Sequence, residues 1–85
     1  MAKLPQLSGK ELIKILNKIG FVEIRQKGSH VFLAKDTIDG KITTVVPLHK
    51  EIDIGTLLEI LRQTKLKRED LEKLRWFFSL IIHTK

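Results

Sequence analysis

Three histidines, His30, His49 and His83, carry all the side-chain titration that this sequence offers near neutral pH, because it has no cysteine and no tyrosine. Any neutral acid–base chemistry therefore falls to an imidazole. His30 closes the run Lys27-Gly28-Ser29-His30, which sets its ring at a flexible turn beside cationic side chains. Positive charge next to an imidazole favours the neutral form, and that form accepts a proton. A histidine at a turn is equally an ordinary surface residue, and spacing alone does not separate the two readings. His49 stands between Pro47-Leu48 and Lys50-Glu51, where it either orients a sheet-to-helix corner or assists at a site. His83 lies in the tail and reads as solvated. Ser29 and His30 make a poor nucleophile pair, since adjacent residues in a strand point to opposite faces. No His-x-x-x-His, no Ca²⁺-loop spacing and no carboxylate cluster converging on a histidine gives a metal site. The five glycines are scattered, so no glycine-rich loop cradles a phosphate.

Cationic residues form the second constellation. Arg25 and Lys27 share one side of an expected strand by alternation, and Lys35 and Lys41 flank the hairpin after it. Such residues hold phosphates, adding salt dependence rather than base choice; the same pattern also describes a solvated charged face. Residues 1–50 hold nine Lys/Arg against four Asp/Glu, a net of +5, whereas residues 51–85 hold seven against six, a net of +1. A basic first half points to a polyanion, and RNA or DNA outranks a membrane because no basic amphipathic helix stands out. Base stacking has little support: Phe21, Phe32, Trp76, Phe77 and Phe78 read as core.

The elements that must position these groups punctuate the chain. Ser8-Gly9-Lys10-Glu11 is a capping box, Leu12, Ile13, Leu16 and Ile19 follow at helical spacing, and Gly20 closes a helix over 8–19. Residues 21–26 predict a first strand, Lys27-Gly28-Ser29 a turn and 30–34 a second strand. Residues 36–40 predict a hairpin loop in which Asp39-Gly40 makes the tight turn, before a β-branched strand over 42–46 that Pro47 ends. A second helix begins between Asp53 and Thr56 and ends at Thr64-Lys65. Leu71, Leu74, Phe78 and Ile81 space a shorter third helix whose last turns could also form a strand or an oligomer contact. Consecutive strands on short links favour an antiparallel meander, and the fold class is α+β, with helices covering one sheet face.

Eighty-five residues with 42% apolar and 31% charged content suit one small ordered domain, residues 1–85, with a core over about 7–72 and an extension over 73–85. Such a chain cannot enclose a large cofactor, a deep cavity and its own core together. Without cysteine there is no disulfide framework, thiol nucleophile or thiolate metal site. The longest apolar stretch, 76–82, is broken by Ser79 and falls far short of the roughly 20 residues that span a bilayer. The first residues lack the apolar centre of a signal peptide. The expectation is a protein of the cytoplasm with no membrane partner.

Several short runs occur here in one order: Ser8-Gly9-Lys10-Glu11-Leu12, Gly20-Phe21, Arg25-Gln26-Lys27-Gly28-Ser29-His30, Val46-Pro47-Leu48-His49, Gly55-Thr56-Leu57 and Ile60-Leu61-Arg62-Gln63. Together they resemble the HicA toxin family, the small mRNA interferases of HicA/HicB toxin–antitoxin pairs, over residues 7–72. The resemblance implies an α-β-β-β-α unit like a double-stranded-RNA-binding domain. It implies an endoribonuclease that needs no metal or other cofactor, and partners in mRNA and a HicB-type antitoxin. Its catalytic histidine falls on His30, with Gly28 and Ser29 shaping the turn and His49 as a helper at a second recurrent position. Arg25, Lys27, Lys35 and Lys41 are the candidate RNA contacts. Two departures stand out: Gln63-Thr64-Lys65-Leu66 replaces an Ala-Gly-Leu common in relatives, and the segment from Trp76 onward extends past the usual end, where packing on the core is favoured over a partner contact.

The lead expectation is thus a toxin ribonuclease in which an imidazole takes the proton of an RNA 2′-hydroxyl while cations stabilise the phosphorane. The competing class is a non-catalytic RNA-binding module on the same scaffold, which needs basic contacts and no histidine. A pure protein-interaction domain leans on the apolar tail.

Overall fold

The computed structural model describes residue 4 and residues 6–83, and the side chains among these through residue 76. Helix α1 spans Gly9–Lys18, strands β1, β2 and β3 span Val22–Lys27, His30–Thr37 and Gly40–Pro47, and helices α2 and α3 span Ile54–Thr64 and Arg68–His83. The strands form one antiparallel sheet in the order β1-β2-β3, giving an α+β fold.

Local chemistry fixes the helix starts. The Ser8 hydroxyl accepts from the Glu11 N–H at 3.1 Å while the Glu11 carboxylate accepts from the Ser8 N–H at 2.9 Å, so the capping box is complete in both directions. Asp53 caps α2 by accepting from the Thr56 N–H at 3.1 Å. At the start of α3, the Asp70 carboxylate reaches back to the Lys67 N–H at 3.1 Å.

Alternation sorts the sheet into two faces. Val31, Leu33 and Val46 point inward and join Leu12, Ile15 and Leu16 of α1, Leu57, Ile60 and Leu61 of α2, and Leu71 of α3 in one buried cluster. Each such side chain contributes about 1.5–3 kcal/mol on burial. Phe21 completes this core at 1% exposure. All three helices therefore cover the same face, and the other face stays open.

One close approach ties helix to sheet at the end that matters below. Gly9 donates its N–H to the His49 carbonyl at 2.9 Å, and a Cβ on Gly9 would lie 2.0 Å from the Pro47 carbonyl oxygen. Only glycine lets the two backbones meet there.

Several boundaries differ from the sequence expectation. β2 continues through Lys35-Asp36-Thr37 and β3 begins at Gly40, so the turn is Ile38-Asp39 rather than Asp39-Gly40. Backbone pairing carries the ladder past residues that no apolar count marks. α3 is the longest helix at 16 residues, not a shorter one, and it stays helical through His83. Trp76, expected in the core, is 66% exposed. The side chains of Phe77, Phe78, Leu80, Ile81 and Ile82, expected to pack, and of His83, expected to be solvated, lie outside the described residues.

α2 ends in an unusual way. Lys65 adopts φ 61°, ψ 27°, the left-handed conformation that disfavours any residue with a Cβ.

Candidate active site

The β1–β2 turn is the origin of the site. Lys27 and His30 are cross-strand partners, so only Gly28 and Ser29 lie between the strands. Gly28 has φ 59°, the positive angle that a type II′ hairpin requires at its first central residue, and its surroundings are open. The Gln26 side-chain amide donates to the Gly28 carbonyl at 3.0 Å and braces the turn. His30 consequently opens the central strand, paired to Lys27 on one side and Pro47 on the other, and it is exposed.

Register places Arg25 across from Phe32 and Lys27 across from His30, so all four side chains share the open face. A bulge at Ile24 sets this phase. The Arg25 guanidinium lies 4.7 Å from the centroid of the Phe32 ring. Phe32 is thus a half-buried platform on the open face and not the core residue that its type suggested.

The other two expected contacts are elsewhere. Lys35 alternates onto the helix-covered face, where its Nζ lies 5.8 Å from the Phe21 ring centroid. It is five residues along β2 from His30, about 17 Å at the usual strand rise. Lys41 pairs with Asp36 at the far hairpin. The structure gathers Arg25, Lys27 and His30, and leaves Lys35 and Lys41 at the opposite end of the sheet.

His30 and His49 line one open cleft of about 550 Å³. Val45, Pro47 and Ile60 supply its apolar part, and Asp53, Glu59 and Gln63 its polar wall. That wall is internally braced. Gln63 accepts from the Thr44 hydroxyl at 2.7 Å and donates to Glu59 at 3.1 Å, and Glu59 also receives the Arg62 guanidinium at 3.0 Å. The Arg62 hydrogen bond holds the Glu59 carboxyl below its usual range, and the same pairing pushes the Arg62 guanidinium up. Donation from the Thr56 hydroxyl, and then from the Thr56 N–H, likewise lowers Asp53.

Sequence reasoning did not connect Glu59 and Gln63 with the histidines. Their i, i+4 spacing announces a shared helix face, but only the packing of α2 beside β3 turns that face toward His30. Among the described residues no group of three or more His, Asp or Glu is arranged to hold a metal ion, and no helix is long and apolar enough to cross a membrane.

Residues 9–66 match the family model described as HicA toxin of bacterial toxin-antitoxin. The chain belongs to the HicA toxin family. Its family-matched part runs from the first residue of α1 to just past α2 and includes both cleft histidines, while α3 lies beyond it. As a HicA-family toxin it has its role within a toxin–antitoxin system. No curated protein matches the chain.

Proposed function

We propose that this HicA-family toxin is an endoribonuclease that cuts mRNA, with His30 as the general base. The observation that supports this reading best is the position of His30: exposed, on an open sheet face shared with Arg25 and Lys27, and at the edge of a cleft. Arg25 and Lys27 hold the backbone phosphates, and the cleft beside His30 receives the neutral parts of the nucleotide.

RNA brings its own nucleophile. His30 removes the 2′-hydroxyl proton, the 2′-oxygen attacks phosphorus, and the bond to the 5′-oxygen breaks. The products are a 2′,3′-cyclic phosphate and a 5′-hydroxyl, and no step calls for a metal or an organic cofactor. A positioned base contributes typically about 10²–10⁴-fold. Fixed cations add stabilisation of the phosphorane charge, about 10²–10³-fold per well-aimed donor. Gly28 and Ser29 serve by shaping the turn that presents the imidazole. A HicB-type antitoxin neutralises the protein by covering the Arg25–Lys27–His30 face, the whole chain 1–85 acting as one unit in the cytoplasm.

The test is a labelled mRNA incubated in EDTA with purified protein or its His30→Ala variant. Cleavage to 5′-hydroxyl ends by the wild type, reduced at least about 10²-fold in the variant, is the expected result. Equal cleavage by both removes His30 from the mechanism. Binding without cleavage by either protein establishes the non-catalytic RNA-binding module instead.

A further inference from the structure

Transesterification through a phosphate moves two protons, one from the 2′-hydroxyl and one to the departing 5′-oxygen, and His30 accounts for the first alone. We infer that His49 is the general acid, delivering its proton to the 5′-oxygen as that bond breaks. This rests on the ribonuclease reading above.

Backbone geometry carries the inference. β2 and β3 pair through His30 and Pro47, and the ladder goes one rung further: the Leu48 N–H donates to the Ser29 carbonyl at 2.7 Å. Extended pairing at that rung turns Leu48 toward the core, against which it packs half-buried, and returns His49 to the face of Pro47 and His30. His49 is then the diagonal cross-strand neighbour of His30, a relation that sets two residues about 7–8 Å apart with their β-carbons somewhat closer. Two imidazoles at that spacing can reach the two sides of one phosphate. Both line the same cleft, and both are exposed. Among the described residues neither ring is held by a side-chain hydrogen bond, so both are open to substrate.

The backbone of His49 is held from both directions. Leu48 is fixed to Ser29, and the His49 carbonyl is fixed to the N–H of Gly9. A residue needed only as a corner would not require its side chain in the cleft. Lys27 of β1 stands beside His30, whereas Asp53 and Glu59 line the cleft from the α2 side. The step balances: His30 gains the 2′-hydroxyl proton, the 2′-oxygen–phosphorus bond forms, the phosphorus–5′-oxygen bond breaks, and His49 gives up a proton to the leaving oxygen.

A leaving group that needs no proton separates this role from a structural one. The substrates are a short RNA containing a mapped cleavage site, and the same RNA with sulfur replacing the bridging 5′-oxygen there. His49→Ala, checked for an unchanged denaturation midpoint, should cut the all-oxygen RNA at least about 10²-fold more slowly but the sulfur RNA within about threefold of the wild-type rate. Its pH–rate profile should lose the alkaline limb. His30→Ala should be inactive on both substrates. Equal loss by His49→Ala on both would make His49 a positioning residue and overturn the assignment, as would no loss on the all-oxygen RNA. Rescue of His30→Ala by sulfur would reverse the two roles. Cleavage of neither substrate by the wild type would overturn the ribonuclease reading itself.

Discussion

Asp53 caps α2 through its carboxylate and is also one of the residues that line the cleft. Its two oxygens accept from the N–H and the hydroxyl of Thr56, at 3.1 and 2.8 Å, which favours the charged form and lowers its titration below the ordinary 3.8. A depressed folded-state value means stability present above the unfolded value and lost as pH falls through the lowered one. The denaturation midpoint should therefore drop when pH is taken from 5.5 to 3. Asp53→Asn, which still caps the helix, should drop less, and equal drops would assign the acid sensitivity elsewhere, Glu59 being the first alternative. Phe32 and Trp76 teach a different lesson at this scale. Both are large and apolar, and residue type alone sends both inward. Phe32 instead lies under a guanidinium, and Trp76 is on the outer side of a helix, because strand phase and helix rotation decide burial, not hydrophobicity alone.

Among the elements, α2 carries the clearest imperfection. Its closing residue, Lys65, occupies left-handed backbone where glycine has no Cβ to disfavour. Lys65→Gly should raise stability by about 1 kcal/mol, read as a higher denaturation midpoint at unchanged slope. The substitution lies away from the cleft and should leave RNA cleavage unaltered. The departure from the Ala-Gly-Leu pattern was visible in the sequence, but its backbone cost was not. Helix starts were legible because Ser8 and Asp53 are capping residues with fixed chemistry, and the helix-strand order followed from periodicity and turn residues. The ends of β2 and β3 were not, since Lys35, Asp36 and Lys41 enter the ladder through backbone groups that any residue supplies. His30 and Arg25 could be placed from the turn and alternation. The α2 wall could not, because neither Glu59 nor Gln63 bears any local mark of lying beside a strand some fifteen residues earlier.

Across the sheet, the cationic candidates divide between two ends, Arg25 and Lys27 at one and Lys41 at the other, where its partner Asp36 lies six residues, about 20 Å, along β2 from His30. Phosphate contacts release counterions, so affinity falls with salt in proportion to their number. For a short RNA, Arg25→Ala and Lys27→Ala should each reduce the salt slope of binding by about 0.7–0.9, whereas Lys41→Ala should leave it unchanged. An equal effect from Lys41 would mean that RNA runs the length of the sheet.

The meeting of Gly9 with His49 joins residues 40 positions apart, and that of Ser29 with Leu48 joins residues 19 apart. His30 is set by a local hairpin, but His49 joins it in one cleft only after distant stretches of the chain have found each other. A newly made or locally unfolded chain thus carries both imidazoles without the cleft they share. For a toxin that acts through this cleft, harm is conditional on complete folding. If the ribonuclease reading holds, mutations that relieve poisoning have a wide target, reaching from the two histidines to the glycine that lets helix and sheet touch.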